Sequence, residues 1–182
     1  MRRLVLAVLL IPLAAYAQQP ADRNAIANKL LDALKTAPNP QVAEVLEAQL
    51  QQIWLNEGTP AVTLLMTRGL REMKADADND AIEDFGDALT LDPNLAEAYL
   101  QRAIARWQSG DTNGAIADIE ATLKQDPRHF TAFETLSRIA EARKDWKGAY
   151  DAWQQLLVLD PQTPGGADRL KELKRKAFGE ET

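Results

Sequence analysis

The densest run of side chains that could do chemistry is Asp76-Ala77-Asp78-Asn79-Asp80, followed by Asp84 and Asp87. Oxygen ligands at these intervals have the spacing that a calcium loop needs, with Asp84 and Asp87 at its ninth and twelfth positions. Such a loop also requires a glycine after its third acidic residue and a long bidentate glutamate at its end, and this chain has Ala81 and Asp87 there. The run therefore reads as an interhelical turn followed by acidic residues at a helix start, where the helix dipole favours them. A cation site made of Asp76, Asp78, Asp80, Asp84 and Asp87 is the alternative. Nucleophiles are scarce. The single histidine, His129, stands in the turn Asp126-Pro127-Arg128-His129 and is expected to be a surface or half-buried structural residue. Ser109 and Ser137 are the only serines, and neither lies in a G-x-S-x-G or S-x-x-K setting. With no cysteine in the chain, disulfides, thiolate nucleophiles, iron–sulfur clusters and Cys/His zinc sites cannot be built. Gly165-Gly166 lacks the Lys-Ser/Thr of a phosphate-cradling loop. These residues predict a protein without catalytic residues and without a cofactor.

Composition separates the chain into two materials. In Met1 to Ala17, fourteen of seventeen residues are hydrophobic, against 46% for all 182 residues. Met1-Arg2-Arg3 is a positive start, Leu4 to Leu13 an apolar core, and Ala15-Tyr16-Ala17 a small-x-small cleavage site before Gln18. Residues 1–17 are thus expected to be a signal peptide cleaved after Ala17, with the mature protein in a bacterial periplasm or secreted. A permanent span would need about 20 apolar residues, so no membrane span is expected after cleavage. The remaining 165 residues carry 19 Lys and Arg against 27 Asp and Glu, a formal charge of −8. That balance excludes a nucleic-acid partner, because phosphate neutralisation requires clustered cations.

Repetition organises the rest. Asp92-Pro93, Asp126-Pro127 and Asp160-Pro161 recur every thirty-four residues, and Ala81, Ala115 and Ala149 recur in the same register. Between them apolar residues advance by three or four: Ala81, Phe85, Ala88 and Leu89; Ala115, Ile119 and Leu123; Ala149, Trp153 and Leu156. That is the stripe of an amphipathic helix. Alanine and leucine dominate and valine is sparse, so an all-α chain follows. A thirty-four-residue period with Ala-x3-aromatic and a terminal proline resembles the tetratricopeptide repeat (TPR) family. The first-helix registers are Leu65, Arg68-Gly69 and Glu72; Tyr99, Arg102-Ala103 and Arg106; Phe133, Leu136-Ser137 and Ala140. The small residues match the family best, whereas Arg68, Glu72, Arg102 and Arg106 depart from it.

The resemblance implies an α-solenoid of three helix hairpins, at about 62–95, 96–129 and 130–161, within residues 59–161. An N-terminal helical hairpin over 22–58 precedes it, since residues 24–35 and 40–56 read as helices with Asn39-Pro40 and Gly58-Thr59-Pro60 as boundary signals. A capping helix over 163–179 closes it, because terminal repeats need a polar outer face. In the family the first helix of each hairpin lines a concave groove. Carried onto this chain, that phase implies Met66, Leu70 and Met73, then Leu100, Ile104 and Trp107, then Glu134, Arg138 and Glu141 as a protein-binding groove. The Lys and Asn with which some family members clamp a peptide's terminal carboxylate are not at these positions. Charge is uneven along the array: twelve acidic residues against three basic ones from Asp76 to Asp126, then ten basic against seven acidic from Arg128 to Lys176. The function expected is a non-catalytic scaffold or adaptor of the cell envelope that binds a peptide or helix of a protein partner, with self-association left open. Whether the groove is open, or filled by the stripe Leu46, Leu50 and Trp54, is a question for the tertiary structure.

Overall fold

The computed structural model describes residues 20–179. Residues 1–17, expected from the sequence to be a signal peptide, lie outside that range. Among the described residues there are nine α-helices: α1 (Pro20–Lys35), α2 (Pro40–Leu55), α3 (Pro60–Lys74), α4 (Asp78–Leu91), α5 (Ala96–Gln108), α6 (Thr112–Gln125), α7 (Phe130–Ala142), α8 (Trp146–Leu159) and α9 (Gly166–Phe178). The all-α solenoid read from the repeats is the architecture observed: α3–α4, α5–α6 and α7–α8 are three hairpins in thirty-four-residue register. Local chemistry sets most boundaries. Asn39 and Thr59 accept the amides of Val42 and Val62 at 3.0 and 3.4 Å, each followed by a first-turn proline. Asp111 and Asp145 cap α6 and α8 through Gly114 and Gly148. Ala77, at the equivalent position before α4, has no capping side chain.

One turn conformation repeats. Between the two helices of each hairpin the chain passes through the left-handed region, at Asp76 (φ 57°), Gly110 (φ 94°) and Lys144 (φ 61°). Only Gly110 takes this shape without steric cost. The two helices then close onto each other at a small residue. At Gly69 an added Cβ would sit 2.7 Å from the Phe85 ring, so the phenylalanine of α4 is accommodated only because α3 has no side chain there. At the matching positions Ala103 faces a hairpin with the narrower Ile119, and Ser137 donates to the carbonyl of Ala149 at 2.9 Å.

There is no single core. One cluster, with Val62, Met66, Phe85, Leu89 and Leu95, joins the first repeat to the second. A second, with Leu100, Ile119, Ala132 and Ile139, joins the second to the third. A third gathers Leu34, Leu50 and Trp54 of the N-terminal hairpin with Phe130, Trp153 and Leu156 of the third repeat and Leu173 of α9. This stepwise burial is how a solenoid is stabilised, each unit contacting its neighbours.

The N-terminal hairpin does not simply stack as a fourth repeat. Its turn lies beside the last repeat, where Gln162 donates to the Ala37 carbonyl at 3.2 Å, while Leu55 at the far end of α2 packs against the first-repeat cluster. A sixteen-residue helix is about 24 Å long, enough to span the array. Along the way Arg128 bonds Asp32 and Asn28, and Trp54 stacks on His129. All these partners lie in or next to the turns between repeats, so the hairpin runs along the edge those turns form. On α1, Ala27, Leu31 and Leu34 are buried and Ile26 is exposed. On α2, Leu50 and Trp54 are buried as expected, but Val42 faces outward and Ala43 inward. No helix among the described residues is long and apolar enough to cross a membrane.

Candidate interaction surface

The residues expected to line the concave groove divide by depth along their helices. Met66 and Leu100, nearest the inter-repeat turns, are each only 1% exposed and belong to the core clusters. They are therefore corrected from groove to core: Leu55 of α2 packs against the cluster holding Met66, and Ala132 and Ile139 of α7 share the cluster of Leu100. One turn and two turns further along, Leu70, Met73, Ile104 and Trp107 are half-buried. Glu134 and Glu141 of α7 are half-buried as well, and Arg138 between them is exposed. The surface available to a partner is thus the C-terminal half of α3, α5 and α7.

Electrostatics sort the charges on this face. Arg169 of α9 bonds Glu141 and lies over the Trp153 ring at 4.4 Å. Glu134 faces Glu47 of α2. The Arg138 guanidinium instead lies 5.7 Å from the Trp107 ring centroid, a cation–π arrangement that ties it to the neighbouring repeat. An exposed guanidinium is thereby placed beside Trp107 of the neighbouring repeat.

The charged departures from the repeat pattern have a structural explanation. Arg68 of α3 makes a two-pronged bond to Asp84 of α4. Arg102 does the same to Asp118 at 2.8 and 2.7 Å, and Arg106 adds a third contact to Asp118 at 2.8 Å. The hydrogen bonds that Arg102 donates to Asp118 raise its pKa further, and they outweigh burial, which acts the other way. Each pair is separated by sixteen residues and recurs after thirty-four. In the third repeat the same two positions are Leu136 and Ala152, an apolar pair in place of an ionic one.

This pairing also takes apart the candidate cation site. Asp84 is 2% exposed and committed to Arg68, Asp78 and Asp80 lie in the first turn of α4, and Asp76 and Asp87 are exposed. Among the described residues no group of three His, Cys, Asp or Glu side chains could hold a metal ion.

His129 is the largest departure from its expected surface or half-buried place. It is 0% exposed, stacked on Trp54 with ring centroids 3.9 Å apart, and its Nε2 lies 3.0 Å from a Glu97 oxygen. The other Glu97 oxygen accepts from Gln101 at 2.7 Å. The turn is buried because the N-terminal hairpin lies over it, which no local pattern around residue 129 could reveal. Next to this contact, a cavity of about 390 Å³ opens between the hairpin and the inter-repeat turns, bordered by Asn28, Leu31, Trp54, Asn94 and Asp126. Ser137 is a buried helix contact, and Ser109 an exposed one that donates to the carbonyl of Arg106.

Comparison with known proteins fits this architecture. No family model matches the chain. A TPR repeat-containing protein of Rhizobium etli is 24% identical over 155 residues, 85% of this chain and 76% of that protein. A TPR repeat-containing protein of Pseudomonas aeruginosa is 28% identical over 109 residues, 60% of this chain and 89% of that protein. Mouse tetratricopeptide repeat protein 36 is 32% identical over 113 residues, but the chain spans only 61% of it. Among solved structures, the Sgt2 TPR domain from Aspergillus fumigatus superposes with a TM-score of 0.60 at 26% identity, over 65% of this chain and 80% of that one. The first TPR of Spaghetti (RPAP3), bound to the HSP90 peptide SRMEEVD, has the same TM-score of 0.60 at 16% identity, over 65% of this chain and 94% of that one. The phased repeats and the hairpins built on them give this chain a tetratricopeptide repeat architecture, shared with relatives and solved structures named for that repeat.

Proposed function

We propose that the protein is a non-catalytic interaction scaffold of the bacterial cell envelope, holding a peptide or helix of a protein partner on the C-terminal halves of α3, α5 and α7. The observation that carries this reading is the exposed Arg138 held over Trp107, together with the half-buried Leu70 and Met73 on α3 and Ile104 on α5. A guanidinium supplies orientation and a rim of flexible apolar side chains supplies adaptable contact, the combination that suits a peptide or amphipathic helix. A fold relative solved with a peptide bound supports the same kind of ligand. Export rests on the composition of residues 1–17.

Peptides selected from a random display library on the full chain test the surface. Binding should weaken at least about tenfold in Arg138→Glu and in Trp107→Ala, with helical circular dichroism unchanged. Equal affinity for both variants would place the contact elsewhere. N-terminal sequencing of the protein from a periplasmic extract should begin at Gln18, and recovery of the intact chain in the cytoplasm alone would remove the envelope assignment.

A further inference from the structure

On α2, the buried residues Ala43, Leu50 and Trp54 fall on one stripe, and Glu47 falls on the same stripe between them. A glutamate at that position is directed into the contact between the hairpin and the third repeat, where the apolar cluster of Leu50, Trp54, Phe130, Trp153 and Leu156 forms. What it meets there is acidic. The Glu47 carboxyl lies close to the side chain of Asp160 at the end of α8, with Glu134 of α7 and Glu44 of its own helix near the same spot. Other polar and charged groups along this interface have partners elsewhere: Arg128 pairs with Asp32 of α1, Arg169 of α9 with Glu141, and the His129 ring with Glu97.

Asp160 is 2% exposed and already works as an acceptor on both oxygens, from the Gln162 amide at 3.2 Å and the Thr163 hydroxyl at 2.6 Å. Two carboxyl groups bond each other only through one shared proton, and with both Asp160 oxygens already accepting, Glu47 is the group left to donate it. The equivalent Asp92 and Asp126 make the same amide contact in their own turns, to Asn94 and Arg128, but they are only half-buried.

We propose that the N-terminal hairpin is a proton-controlled latch: α2 closes on the third repeat with Glu47 protonated and donating to Asp160, and its hold weakens when that proton leaves. Deprotonation puts a second negative charge against Asp160 and Glu134 in a partly desolvated contact. Burial, then the Asp160 charge and its hydrogen bond, then Glu134 and Glu44, push the Glu47 pKa from the usual 4.5 to about 7. A raised carboxyl pKa means that the docked state holds a proton which the released hairpin gives up between these two values. Docking therefore strengthens as pH falls from about 7 towards 4.5 and weakens as pH rises through the same window. Release would uncover the apolar edge formed by Phe130, Trp153 and Leu156, so the latch couples a protein-contacting surface to the acidity around the molecule.

Hydrogen exchange on the full chain, corrected for the intrinsic pH dependence of exchange, tests this. Opening of α1 and α2 should be at least about tenfold more frequent at pH 8 than at pH 5.5, with α5 and α6 showing no matching change. Glu47→Gln keeps a donor for Asp160 without a titrating charge and should flatten the dependence, whereas His129→Gln should keep it. The proposal is overturned by a flat wild-type profile, by a Glu47→Gln variant that keeps the wild-type slope, or by a slope that disappears only in His129→Gln. Carbon NMR of the Glu47 carboxyl in the unmodified chain gives a reading that needs no variant: a midpoint well above 4.5 is expected, and one at 4.5 also overturns it.

Discussion

At the residue scale the repeats carry an experiment already made by the chain itself. Positions filled by Arg102 and Asp118 in the second repeat are Leu136 and Ala152 in the third, and both hairpins close. Asp118 is the shared acceptor of Arg102 and Arg106, and its side chain is 5% exposed. Asp118→Ala alone leaves two partly buried guanidinium groups without their acceptor and should cost about 3 kcal/mol in urea unfolding. Adding Arg102→Leu and Arg106→Ala copies the third repeat, where these positions are Leu136 and Ala140, and should bring stability back to within about 1 kcal/mol of wild type, since apolar residues substitute well for a buried ion-pair cluster. An additive triple variant would show that these side chains are not coupled. The arginines were visible in the sequence as departures from the repeat pattern. Their partners were not, because residues sixteen apart meet only once the hairpin has closed.

At the scale of the element, each hairpin depends on a turn that must pass through the left-handed region. The second repeat has Gly110 there, and the third has Lys144 at φ 61°. Lys144 is exposed, so its side chain contributes little that glycine would lose. Lys144→Gly should therefore stabilise the protein by about 0.5–1 kcal/mol, and Gly110→Lys should destabilise it by a similar amount, both read as shifts in the urea midpoint. Unchanged midpoints would mean that the turn, not the residue, sets this conformation at no cost. Helix ends and stripes were largely legible, because caps, prolines and three-to-four spacing act over a few residues. The buried face at the start of α2, where Ala43 and not Val42 points inward, was not, since it depends on which neighbour the hairpin leans against.

For the whole molecule, burial passes from unit to unit, and the N-terminal hairpin is the element that ties the two ends together. It touches the first-repeat cluster through Leu55 and the third repeat through Leu50 and Trp54. Deleting residues 24–57 removes cover from His129 and Phe130, which are 0% and 4% exposed with the hairpin in place. Light scattering after gel filtration should then find at least about half of the chain in associated forms, because an uncovered apolar edge seeks another surface. A shortened chain that stays monomeric with full helical content would show that the hairpin is an accessory to the array. The latch is a property at this scale too: Glu47 matters because it links residues 113 positions apart in sequence, at Asp160.

The amino-acid sequence determined the helices, their thirty-four-residue register and the small residues at which paired helices meet, because these depend on periodicity and on turn chemistry within a single hairpin. Only the tertiary structure decided which groove positions stay accessible, moving Met66 and Leu100 into the core and leaving Arg138 over Trp107. It alone dissolved the acidic run into ion pairs and helix starts, buried His129 beneath Trp54 and set Glu47 against Asp160. Those outcomes depend on where the N-terminal hairpin lies relative to residues up to 125 positions away, as in the Gln162–Ala37 contact. A pattern that repeats every thirty-four residues carries no information about a helix that crosses all the repeats at once.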